Sequence, residues 1–92
     1  MGDAVHKPIV LTLHAKDRLV LRGATADEIT RAVREGAWES ARRGKWHSTL
    51  RFAFHEASPV NGVVYTYKTV DVVFADEPER IVVVTVKVYY HD

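Results

Sequence analysis

The chain has 92 residues, 47% of them hydrophobic and 27% charged, with a net charge of +1; these values fit one globular domain and exclude a disordered one. It contains no cysteine, which removes disulfides, thiolate metal sites and cysteine nucleophiles together. Its longest apolar run, Ile81-Val82-Val83-Val84, is strand-sized and far short of the roughly 20 residues that cross a bilayer as a helix.

The stretch Met1 to Lys7 lacks the apolar core of a secretory signal. With the absence of cysteine this fits a cytoplasmic protein. Residues 8 to 13 read as a short strand or an extended lead-in. Thr12 then caps a first helix from Leu13 to Arg22, and Gly23 ends it. Thr25-Ala26-Asp27-Glu28 is a capping box, in which the Thr25 hydroxyl serves the Glu28 amide and the Glu28 carboxylate returns to the Thr25 amide. It opens a second helix that stops at Gly36. Ile29, Ala32 and Val33 give that helix a narrow apolar stripe.

After Gly36 the period changes from helical to two. Ala37 to Arg42 is predicted as a short strand, and Lys45 to Glu56 as a second after a turn at Gly44. Asn61-Gly62 is a hairpin signal, since both residues tolerate the positive φ of a type I′ turn. Val63 to Phe74 is the third strand, Asp76 to Glu79 the next turn, and Arg80 to Tyr90 the fourth strand. The expected fold is therefore α+β, with two N-terminal helices on one face of a four-stranded antiparallel meander. A fourth strand so rich in valine is an aggregation hazard at an open edge, so it is expected to be central or covered.

Alternation assigns the strand residues to two faces. Trp46, Ser48, Leu50, Phe52 and Phe54 share one side of the second strand, and His47, Thr49, Arg51, Ala53 and His55 the other. Val70, Val72 and Phe74 oppose Tyr65, Tyr67, Thr69, Asp71 and Val73. Val82, Val84, Val86 and Val88 oppose Ile81, Val83, Thr85, Lys87 and Tyr89. The apolar sets belong under the helices, which leaves an open face rich in His, Arg, Lys, Thr and Tyr.

Two features point to chemistry. Between Glu39 and Glu56 there is no acid, but there are Arg42, Arg43, Lys45 and Arg51, with His47 and His55. Rings among cations suit single-stranded nucleic acid, where bases stack and phosphates meet positive charge; the same residues also suit a solvated sheet face. In the first helix His14, Arg18 and Arg22 recur at i, i+4 and i+8, near one stripe. A histidine moves protons near neutral pH, and arginine forks phosphate; the alternative is a helix whose arginines pair with nearby acids. Metals and cofactors are not expected. His47 and His55 share a face but stand roughly 26 Å apart along a strand, and no phosphate-cradling loop or nucleophile elbow is present.

Leu11-Thr12-Leu13-His14-Ala15-Lys16-Asp17-Arg18-Leu19-Val20-Leu21-Arg22-Gly23, followed by the capped helix Thr25 to Gly36 and the strand Val82-Val83-Val84-Thr85-Val86, resembles domain-of-unknown-function family 4258. The layout is also similar to RelE-type toxins and the wider barnase, EndoU, colicin and RelE-like group of metal-independent ribonucleases. The resemblance implies RNA cleavage by 2′-hydroxyl attack, with His14 as acid or base, Arg18 beside it on phosphate, and Thr85 orienting phosphate or ligand. Arg22 is a further phosphate-binding candidate. Arg51, Lys87 and Tyr89 join as substrate-binding residues from the open face. A toxin of this kind implies a neutralising protein partner besides RNA. The alternatives are a non-catalytic module binding RNA or a protein, and a homodimer joined through a strand edge.

Overall fold

A computed structural model describes residues 7–92. Met1 to His6 lie outside the described residues. The element order is β1 (Ile9–Leu11), α1 (Leu13–Arg22), α2 (Ala26–Glu35), β2 (Glu39–Ser40), a 3-10 turn (Arg42–Gly44), β3 (Trp46–Ala57), β4 (Val64–Asp76) and β5 (Ile81–His91). The class is α+β, but the sheet has five strands in the order β1-β5-β4-β3-β2. The expected all-antiparallel meander is corrected by β1, which the extended lead-in forms and which pairs parallel to β5 through Ile9–Ile81 and Leu11–Val83. That pairing sets β5 between β1 and β4 along its first residues. No helix among the described residues is long and apolar enough to cross a membrane.

Both helices start and stop at the expected residues. The Thr12 hydroxyl accepts from Ala15 N–H at 3.1 Å, and Gly23 closes α1 at φ 80°. Only glycine suits Gly23: besides the positive φ, a Cβ there would lie 2.6 Å from Pro59 Cγ and from the Tyr90 hydroxyl. Thr25 and Glu28 form both bonds of the capping box. The α2 stripe of Ile29, Ala32 and Val33 is fully buried in one core with Ala15 of α1 and Val70, Val72, Phe74, Ile81, Val83 and Val86 of the sheet. Ser48 pins α2 to β3 by donating from Oγ to Ala32 O at 2.6 Å.

Three local expectations need correction. The strand predicted over Ala37 to Arg42 shrinks to Glu39–Ser40, because the chain turns at once through Arg42–Gly44, with Arg43 at φ 58°. The β3–β4 hairpin closes through a wider loop than a two-residue type I′ turn: Gly62 N–H reaches Ser58 O, Ser58 N–H reaches Val63 O, and of the Asn61-Gly62 pair only Gly62 has positive φ. The third correction matters most. Phe74 pairs with Val83 and Val73 with Thr85, so Val84 has no counterpart on β4. This bulge shifts the alternation by one residue. Ile81 and Val83, expected on the open face, are fully buried, and inward positions resume at Val86. Past the bulge, Thr85, Lys87 and Tyr89 occupy the open face as expected.

On the inner face the structure adds a residue that hydrophobic patterning passes over. Lys68 is 4% exposed. Its ammonium donates to Gly23 O at 2.7 Å and pairs with Glu28 at 2.8 Å, and it lies over the Phe54 ring. The turn between the helices is thereby tied to the middle of the sheet.

Candidate active site

Cross-strand register arranges the open face as successive rows. His47, Val73 and Thr85 form one; Thr49, Asp71 and Lys87 the next; then Arg51, Thr69 and Tyr89; then Ala53, Tyr67 and His91. Rows are two residues apart, about 6.7 Å.

The first two rows form a cleft of about 470 Å³ lined by Ser40, Arg42, His47, Asp71, Thr85 and Lys87, with Ala41 and Val73. His47 is held from both sides: Nδ1 lies 3.2 Å from Asp71 Oδ1, and Nε2 lies 3.3 Å from Glu39 Oε1. Both contacts become hydrogen bonds when both ring nitrogens carry protons. Asp71 is the more sheltered acid and Glu39 the more exposed, with side-chain exposures of 14% and 71%. Asp71 therefore fixes the ring, while Glu39 is free to swing aside. On the opposite wall, Thr85 Oγ1 lies 3.3 Å from Nε2 of His14, in the first turn of α1. Adjacent strands are about 4.8 Å apart, so His47 and Thr85 stand roughly 10 Å from each other across Val73. Lys87 and Arg42 bring cations to the same space.

His14 and Thr85 meet. Lys87 lines the cleft. Tyr89 and Arg51 lie one row further along, on either side of Thr69. Arg18, half-buried on α1, has no hydrogen bond or ion pair with another described residue. Arg22 is committed to the fold: its Nη1 donates to Val86 O at 3.0 Å on the β5 edge, and its own carbonyl accepts from the Tyr90 hydroxyl. Arg42 and His47 belong to the basic strip read from the sequence, but the pairing of His47 with Asp71 was not expected. Alternation had placed His47 and Asp71 on the open face, but only register joins them, and the long hairpin loop hides that register.

No cluster of three or more His, Cys, Asp or Glu positioned to hold a metal occurs among the described residues. Compared with protein-family models, curated proteins and solved structures, the chain matches none.

Proposed function

We propose that the cleft cleaves single-stranded RNA by attack of the ribose 2′-hydroxyl on the adjacent phosphorus, with protein side chains alone moving the protons. One observation carries this reading: His47 lines a cleft with Thr85, Lys87 and Arg42, and His14 meets the same Thr85 from α1. Such a reaction needs a base, an acid and cations around the phosphate. The neutral ring of His14 takes the proton from the 2′-hydroxyl, with Thr85 orienting it. The 2′-oxygen bonds to phosphorus and the bond to the 5′-oxygen breaks. His47, steered by Asp71, gives its proton to that leaving oxygen. The products are a 2′,3′-cyclic phosphate and a 5′-hydroxyl. Lys87 and Arg42 balance the charge that grows on the non-bridging oxygens, with Arg18 supplying a further cation from α1.

The likeness to family 4258 and to RelE-type ribonucleases supports this reading at the level of layout. A neutralising protein partner and a cytoplasmic setting belong to the same proposal. The test is incubation of mixed-sequence RNA with the protein in EDTA. Cleavage that leaves cyclic phosphate ends, and stops when the 2′-hydroxyls are replaced by hydrogen, supports the mechanism. Equal cleavage of DNA and RNA contradicts it.

The second reading is a non-catalytic RNA-binding module. It is favoured by the far rows of the open face, where Arg51 lies over the Tyr67 ring at 4.5 Å. Under that reading the same RNA binds and stays intact.

A further inference from the structure

The rows beyond the cleft carry a second feature. Tyr67 has two partners: Arg51 reaches it from β3, with Cζ 4.5 Å from the ring centroid, and His91 stacks on it from β5 at 5.8 Å. His91 is itself anchored, with Nε2 2.9 Å from Thr69 Oγ1. The stack has two consequences. It places the Arg51 guanidinium over the Tyr67 ring. It also leaves Tyr89, 52% exposed, as the unstacked ring of this part of the face. Tyr89 and Arg51 flank Thr69 in one row, roughly 10 Å apart across two strand spacings. Between them lies a floor made by Thr69 and His91.

We propose that Tyr89 and Arg51 form a nucleobase subsite, taking an unpaired base of single-stranded RNA between an aromatic face and a guanidinium plane. Both surfaces accept any base through its π-face, so the subsite is sequence-tolerant. The row lies four residues along β5 from Thr85, roughly 13 Å. The base it holds therefore belongs to a nucleotide beyond the one carrying the reacting phosphate. This inference rests on the RNA reading of the same face but not on catalysis. Its consequence is that RNA must extend past the scissile step to bind well.

The decisive experiment measures binding of a fluorescent 2′-O-methyl oligoribonucleotide, which cannot be cleaved because its nucleophile is blocked, to the wild type, Tyr89→Ala, Tyr89→Phe and Arg51→Ala. The same sugar-phosphate chain without bases is the second probe. Tyr89→Ala should weaken the base-bearing oligomer roughly 10-fold or more, Tyr89→Phe should retain most of the affinity, and the abasic chain should bind wild type and Tyr89→Ala alike. Equal binding of the base-bearing oligomer to wild type and Tyr89→Ala overturns the subsite, even if the cleft cleaves RNA. The expected binding pattern in a protein that never cleaves unmodified RNA upholds the subsite and removes the catalytic reading instead.

Discussion

Nε2 of His14 lies 3.3 Å from Oγ1 of Thr85, a residue 71 positions later in the chain. The contact depends on two unrelated local features. Thr12 must start α1 where it does, so that His14 falls in the first turn, and the Val84 bulge must turn Thr85 outward. Without the bulge, Thr85 would follow Ile81 and Val83 into the core. The bulge therefore reconciles a buried start of β5 with a second half whose Thr85, Lys87 and Tyr89 lie on the open face.

That reconciliation has a stability signature. Val83→Ala should cost about 2 kcal/mol or more in urea unfolding, as a cavity in the core, whereas Val82→Ala should cost about 1 kcal/mol or less. Uninterrupted alternation through Val82, Val84, Val86 and Val88 requires the opposite order, so the ranking alone decides between the two.

Lys68 gives a second expectation. Removing one partner of a buried ion pair leaves the other charge stranded. Lys68→Met should therefore lower stability by roughly 3 kcal/mol in chemical denaturation. Adding Glu28→Gln, which preserves the helix cap through its amide oxygen, should recover part of the loss.

Two glycines should respond unequally to a methyl group. At Gly36 a Cβ would collide with Ser48 Oγ and come within 2.6 Å of Thr49 O and 2.7 Å of Ala32 O. The backbone can hardly yield there, so Gly36→Ala should cost about 3 kcal/mol. Gly44 has open space around it, and only its φ of 71° resists substitution; Gly44→Ala should cost about 1 kcal/mol. Thermal unfolding of both variants measures the difference.

Tyr90 predicts an alkaline dependence. Burial, and next the nearby Glu28 carboxylate, raise its phenol above the ordinary value of 10.0, and its hydroxyl donates to Arg22 O at 2.5 Å. The folded chain thus favours the protonated form. The stability this contributes is complete below the unfolded value and is lost as pH rises through the folded one. Relative to Tyr90→Phe, the wild type should lose stability as pH rises above about 10, read from urea midpoints at increasing pH.

Local signals made much of this fold legible. Thr12, Gly23 and the Thr25–Glu28 box fixed both helices because each acts within one turn of chain. The alternation in β3 and β4 separated the faces correctly from Trp46 to Phe54 and from Tyr67 to Phe74. Features that depend on distant pairing were not legible. Ile9–Leu11 became a strand only by meeting Ile81–Val83, and the Val84 bulge leaves no mark in a run of valines. The burial of Lys68 likewise depends on Gly23 and Glu28 being brought over it. The site divides the same way. His14 and Thr85 were named through a resemblance and lie in contact, whereas His47 and Asp71 are a cross-strand pair that exists only through register.

The central claim is that His14 and His47 share one reaction in this cleft. It is tested most directly by the rate of RNA cleavage in EDTA for the wild type, His14→Ala, His47→Ala and His55→Asn. His55 lies in the bulge at the far end of β3 with φ 56°, a conformation that asparagine tolerates. Cleavage by the wild type and by His55→Asn, with losses on the order of 100-fold or more in each of the other two and unchanged circular dichroism, is the expected result. A His14→Ala or His47→Ala variant that cleaves at the wild-type rate, or a wild type that leaves RNA intact across the neutral pH range, would contradict it.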